Sequence, residues 1–359
     1  MLVSGYCNRL SFSYTLRQKM IVARIVTSIF SLTIGVLAFA RLLAIMEEFY
    51  PVASMRRCLL VDNHIYPFGL PAFDTFMCVI HPLFAAANET DQSSFIASCL
   101  LNLLLSFWLV SAIESTRSTA HALVWLFGTT TALSHLIGVG PVVTILWLPC
   151  WVWTRPSRNE KLGSLLPAKI YTIAAVMAGV AVSAMMLKYH NVFQVKLGLA
   201  VATFHLLSLL AQPIWWTLGI SFKPSIETAD AFITSSNVAA TTYRISSIIL
   251  GLQWIKQAQV ITGFLLEHGY GSIDALKTLL NGLAAPMSLQ EAATCFFLVD
   301  LALLWLGCLM WIGYEMGLCA LISNIFWTAV MGPGASFLRT AEIREYLLSS
   351  SRLAKDKVE

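Results

Sequence analysis

Three carboxyl groups stand where the surrounding sequence is apolar: Asp74 in Pro71-Ala-Phe-Asp74, Glu114 in Ala112-Ile-Glu114-Ser-Thr-Arg117, and Asp300 in Phe296-Phe-Leu-Val-Asp300. An ionisable side chain among such neighbours needs a partner or an internal cavity. Apolar surroundings favour the neutral acid, the form a proton donor requires, and Asp300 is the acid so placed. Glu114 precedes Arg117 by three residues, a spacing at which side chains on one helical face pair. Held ionised in that way, Glu114 suits balancing a cation better than donating a proton. Asp74 shares a helical face with Cys78 and His81. Two turns, about 10 Å, separate Asp74 from His81, too far for contact but close enough to line one pocket. Each acid also has a structural alternative: a partner such as Arg24 or Arg244 for Asp74, a salt-bridged helix end for Glu114, and a hydrogen bond to a neighbouring helix for Asp300. Glu315 lies about 22 Å along a straight helix from Asp300 and is expected at the membrane interface.

Aromatic side chains add a second kind of chemistry. Trp147, Trp151, Trp153, Trp215 and Trp216 cluster where apolar runs end, as interfacial anchors do. Trp108, Trp125 and Trp254 lie elsewhere, and rings lining a cavity stabilise a passing carbocation through their negative faces. Tyr243, in the same segment as Trp254, is placed with Trp108, Trp254, His81 and Arg117 as a candidate substrate contact. No His, Cys, Asp or Glu grouping has metal-ligand spacing. The isolated aspartates exclude a diphosphate-binding, aspartate-rich motif, and neither a Walker loop nor a dinucleotide fingerprint occurs. The last two absences remove ATP-driven transport as a simple reading. The eight cysteines, mostly within apolar runs, read as buried thiols.

The elements that must position these residues follow from composition. The chain has 359 residues, 57% hydrophobic and 12% charged, with a mean hydropathy of +0.73. A charged fraction about half that of ordinary globular domains excludes a water-soluble enzyme. The net charge of +4 is too small and scattered for nucleic-acid binding. Apolar stretches near 21–46, 69–87, 96–113, 124–147, 170–187, 197–216, 237–266 and 295–314 predict about eight transmembrane helices. The stretch at 69–87 is a kinked span or a re-entrant segment, 124–147 contains Pro141, and the apolar run to Trp327 continues as an interfacial helix. Basic residues favour one side by about two to one, which predicts both termini in the cytoplasm. The sequon Asn88-Glu89-Thr90 then faces the cytoplasm and stays unmodified. The fold class expected is all-α: a polytopic membrane bundle over 21–330 with cytoplasmic tails at 1–20 and 331–359, no internal repeat and no soluble domain.

Several of the same residues carry a resemblance. An Asp after a Pro/Gly-containing loop, the Ala112-Ile-Glu114-Ser-Thr-Arg117 helix end, Val299-Asp300 in a late span, and Gly332-Pro-Gly-Ala335 followed by Ile343-Arg344-Glu345 together resemble fungal integral membrane terpene cyclases. These belong to meroterpenoid and indole-diterpene pathways, closest in kind to the cyclases of ascochlorin and ascofuranone formation. The resemblance extends over nearly the whole chain. It implies a cofactor-independent enzyme of the endoplasmic reticulum that protonates a terminal epoxide on a farnesyl chain attached to an aromatic or indole head group and directs the cyclisation. It also implies an association with the pathway epoxidase and prenyltransferase, as well as with membrane lipids. Carried onto this sequence, it makes Asp300 the acid, Glu114 with Arg117 an orienting or cation-balancing pair, and Asp74 a second acid or relay. Ser115-Thr116 before the Arg, and Leu298-Val299 before the Asp, depart from the family pattern. Two other function classes compete: a transporter for lipophilic metabolites, which eight spans with central prolines and intramembrane charges would suit, and a non-catalytic scaffold for neighbouring pathway enzymes.

Overall fold

The computed structural model describes residues 2–49, 71–117, 127–154, 165–219, 229–267, 286 and 288–356. Every regular element among them is helical. In chain order these are α1 Leu2–Phe49, α2 Pro71–Ala87, α3 Asp91–Ser115, α4 Phe127–Ile137, α5 Val139–Thr154, α6 Pro167–Lys188, α7 Leu197–Gly219, α8 Ala229–Glu267, α9 Leu289–Met316, α10 Leu318–Met331 and α11 Pro333–Asp356.

Local chemistry sets several of the boundaries. Thr90 and Ser93 close a reciprocal capping box at the start of α3. The Ser288 hydroxyl accepts the Glu291 N–H at the start of α9. Gly138, Gly317 and Gly332 have φ of 90°, 90° and 83°, and separate α4 from α5, α9 from α10 and α10 from α11. Only glycine takes that conformation without a Cβ clash. The stretch read as one span near 124–147 is therefore two helices, broken at Gly138. Pro141 does not break it, because it sits in the first turn of α5, where its missing N–H is not needed. A π-helical turn over Val142–Trp147 follows within α5.

Among the described residues, five helices are long and apolar enough to cross a membrane: Ile21–Ile45 of α1, α3, α6, Leu197–Thr217 of α7, and α9. Apolar side chains such as Val26 and Leu37 of α1, Leu252 of α8 and Phe326 of α10 point outward. This architecture is consistent with a multi-pass membrane protein. It falls short of the eight helices expected: α2, α5 and α10 are too short, and the 39-residue α8 carries Arg244 and Lys256 within it.

Contacts between helices fix their directions. Arg344 bonds both Glu114, at the end of α3, and Glu315, at the end of α9, and Trp151, near the end of α5, also donates to Glu315. The three helices thus finish on one face, whereas eight alternating spans would put Glu114 and Glu315 on opposite faces. Arg24 contacts Tyr314 and Ile45 packs on Cys295, so α1 runs the other way and ends on the face where α3 begins. The connection from α6 to α7 lies on that second face, since Tyr189 takes the Lys256 ammonium over its ring while nearby Trp254 packs on Phe95 in the first turns of α3. Consequently α7 runs toward the Glu114 face. Phe127 meets Trp215, Gly128 donates to Gln212, and His135 meets Ser208, which makes α4 antiparallel to α7.

Helices α4 and α5 therefore form a hairpin that enters from the Glu114 face, turns at Gly138 and returns. The pair α10 and α11 does the same about Gly332, with Asn324 bonded to Thr340 and Thr328 to Ser336. Irregular backbone at such depth survives only where protein satisfies it. Gly138 N–H reaches the Ser134 carbonyl and Gly332 N–H the Thr328 carbonyl. Residues expected to form a C-terminal tail are thus the second arm of a packed hairpin, with Phe337, Leu338 and Ala341 buried.

Candidate functional site

A cavity of about 410 Å³ lies between α1, α2, α3, α4, α7 and α9, within the range of pockets that hold small organic ligands. Its walls are mostly aliphatic and aromatic, and none of its lining residues is Lys or Arg. Leu43 of α1 and Leu136 of α4, 52% and 68% exposed, border it on the outer surface of the bundle. The cavity therefore adjoins the apolar exterior from which a lipophilic molecule would arrive.

Asp300 is the carboxyl group on its wall. Its position follows from the hairpin tip. The Gly140 N–H meets Oδ1 at 2.6 Å and the Val139 N–H meets Oδ2 at 3.3 Å, so the side chain caps the first turn of α5 from a neighbouring helix. The close approach requires glycine: a Cβ on Gly138 would lie 2.9 Å from Asp300 Oδ1, and one on Gly140 2.7 Å from the Asp300 carbonyl oxygen. The two carboxyl oxygens are unequal, one gripped tightly and the other loosely.

Two imidazoles that the sequence reading passed over lie on the same wall. His135 and His205 have ring centroids 4.6 Å apart, and both line the cavity. Trp108 stands 5.5 Å from His135, while Phe76 and Phe84 meet His205 edge-on at 5.2 and 5.8 Å. The available signal was a histidine inside each of two apolar runs, ordinarily a core histidine. Nothing in the sequence announces that positions 135 and 205 meet.

Glu114 and Arg117 are placed elsewhere. Arg117 grips Glu114 with Nε and Nη2 at 2.8 and 2.9 Å, and Nη2 also donates to Glu345 at 2.6 Å. Arg344 donates to Glu114 at 2.8 Å, to Glu345 at 3.0 Å and to Glu315 at 2.9 Å, with its guanidinium 5.2 Å over the Trp311 ring. All five charged side chains are buried. Burial opposes charge on Arg117, but the carboxylates of Glu114 and Glu345 outweigh it and hold the guanidinium above the ordinary arginine range. The i,i+3 pair read from sequence is therefore part of a larger ion cluster that fastens α11 to the ends of α3 and α9. Glu315, expected at the interface, is a buried member of that cluster.

Of the remaining candidates, Trp108 lines the cavity, and Asp74, His81, Trp254 and Tyr243 are not among its lining residues. Asp74 is half-buried on α2, and its Oδ1 has no hydrogen-bond partner among the described residues. Arg244, a suggested partner for it, pairs with Glu342 at 2.7 Å. His81 is also half-buried on α2. Trp254 packs beneath Gly332 at the second hairpin tip. Tyr243 is fully buried. Trp125 lies outside the described residues. Cys78 is disulfide-bonded, which corrects its reading as a thiol; Cys99, Cys150, Cys295, Cys308 and Cys319 are free thiols. Among the described residues no group of three or more His, Cys, Asp or Glu side chains could hold a metal ion.

Comparison of the chain with protein-family models, with curated proteins and with solved structures finds no match.

Proposed function

We propose that the protein is a membrane-bound terpene cyclase that opens a terminal epoxide on the prenyl chain of an aromatic or indole meroterpenoid. The observation that carries this reading is Asp300 on the wall of an apolar, aromatic-rich cavity that adjoins the bundle's lipid-facing exterior. As acid, Asp300 carries the proton on Oδ2: a carboxylic hydroxyl oxygen is a poor acceptor, and Oδ2 has the longer contact, to Val139. The proton passes to the oxirane oxygen, the C–O bond breaks toward the more substituted carbon, and an alkene of the folded chain attacks the resulting cation. Proton loss from a neighbouring carbon ends the sequence, so the product is an isomer of the substrate. Trp108, Phe84 and Phe297 supply ring faces to the cation, and exclusion of water protects it from capture. Glu114 and Arg117 serve the fold in this scheme.

Membranes containing the protein are expected to convert an epoxyfarnesyl phenol, or an epoxyprenyl indole, to a ring-bearing product of unchanged mass. Asp300→Asn, expressed to the same level, is expected to lose at least about 10²-fold in rate, the usual weight of general acid catalysis. An unaffected rate in Asp300→Asn removes the residue from that role, and absence of conversion by the unaltered protein overturns the reading.

Transport of a lipophilic metabolite is the second reading, favoured by the two hairpins that turn at depth, since discontinuous helices often border transporter sites. Its mark is labelled, chemically unchanged substrate crossing sealed vesicles.

A further inference from the structure

The hydrogen bonds around the pair assign the tautomer of His205. Its Nδ1 lies 2.8 Å from the Val201 carbonyl. A carbonyl oxygen only accepts, so Nδ1 bears the hydrogen and Nε2 of the neutral ring keeps a lone pair. His135 Nε2 is engaged by the Ser208 hydroxyl at 2.6 Å, a contact that either atom can donate. The donor position of His205 is thus used inside the protein, and its Nε2 has no bonded partner among the described residues.

Proximity keeps the pair in this state. With ring centroids 4.6 Å apart inside an aromatic box, a positive charge on one imidazole disfavours a charge on the other. The cavity wall here carries the acceptor nitrogen of His205 with the His135 ring beside it. It offers no Lys or Arg to balance a phosphate or carboxylate, and burying an unbalanced anion would be strongly unfavourable.

We infer that the His135–His205 pair is the receptor for one O–H or N–H group of an uncharged lipophilic ligand. The inference rests on the reading above only in taking this cavity as the ligand site; it holds for a substrate to be cyclised and for one to be carried. A phenol or indole head group has the required chemistry, while its O-methyl or N-methyl derivative keeps the shape and lacks the donor. Leaving the buried His205 acceptor unanswered is what penalises the methylated form.

The test is competition binding to the purified full chain in lipid nanodiscs, with tritiated 4-farnesylphenol as tracer. The competitors are unlabelled 4-farnesylphenol, its methyl ether and farnesyl phosphate. The ether and the phosphate are expected to bind at least tenfold more weakly than the phenol. In the double variant His135→Phe/His205→Phe, the phenol and ether are expected to differ by less than threefold. Failure of the phenol to bind, a phenol-to-ether ratio below threefold in the unaltered protein, or a tenfold preference surviving in the double variant each overturns the inference. The comparison within the unaltered protein needs no variant to fold. None of the probes carries an epoxide, so absence of conversion in the membrane assay would remove the cyclase reading without touching this result.

Discussion

Gly140 donates its backbone N–H to Oδ1 of Asp300 at 2.6 Å, joining the tip of one hairpin to the middle of α9. Two consequences follow from that single bond. It holds the carboxyl group against the cavity wall in a fixed orientation, and it makes the site depend on the absence of a side chain at position 140.

A methyl group on Gly140 would stand 2.5 Å from Leu303 Cβ and 2.7 Å from the Asp300 carbonyl oxygen, both parts of a rigid helix. Gly140→Ala is expected to destabilise the protein by about 1–3 kcal/mol through overpacking, and to move the carboxyl group. Thermal melting in detergent, followed by size-exclusion chromatography, should show a clear fall in midpoint. Gly179 is the control, because a Cβ there meets nothing within 4 Å. An unchanged midpoint in Gly140→Ala would mean that the hairpin tip is not seated on α9.

Glu114 tests whether an intramembrane acid serves chemistry or the fold. It takes hydrogen bonds from Arg117 and Arg344 and lines no part of the cavity. Glu114→Gln leaves two buried guanidinium groups short of a counter-charge, and disrupting a buried pair typically costs about 3–5 kcal/mol. The expected outcome is a large loss of detergent-stable protein, with the surviving fraction keeping its ligand binding. Normal stability combined with lost conversion would return Glu114 to the catalytic centre.

How far the sequence could be read divides along one line: whether the information is local. The hydropathy of α1, α3, α6, α7 and α9 is a property of contiguous residues, so these helices were legible. So was Asp300, a lone acid after Phe296-Phe-Leu-Val, and so was the pairing of Glu114 with Arg117 one turn away. The partners that decide their roles are distant in sequence. Gly140 lies 160 positions from Asp300, and Arg344 lies 230 positions from Glu114. His135 and His205 become a pair only after α4 and α7 are set antiparallel. The hairpin turn at Gly138 is masked in the sequence by Pro141, since a proline marks a break in a helix interior but not in a first turn. Helix counting then failed, because a hairpin that enters and returns looks the same in a hydropathy profile as a crossing.

The shared end of α3 and α9 makes a topological prediction that the eight-span count does not. The five membrane-length helices among the described residues, with α8 proposed as a sixth crossing, predict both ends of the described chain on the Glu114 face. Arg117 after α3 and Lys169 at the start of α6 stand on that face, and the positive-inside rule predicts that it is cytoplasmic. The Asn88–Thr90 turn then lies on the opposite, lumenal side, where the Cys78 disulfide on neighbouring α2 suits an oxidising compartment. The native sequon is held shut: Asn88 Nδ2 donates to the Phe84 carbonyl at 2.8 Å and Thr90 Oγ1 caps α3. A glycosylation acceptor carried on roughly 20 Gly/Ser residues inserted at this turn escapes that constraint. It is expected to be modified in microsomes, with a mobility shift reversed by endoglycosidase, while the same insert placed directly after Arg117 remains bare. Modification of the second insert and not the first would restore opposite faces for Glu114 and Glu315 and break the assignment of α4–α5 as a hairpin that returns to its face of entry.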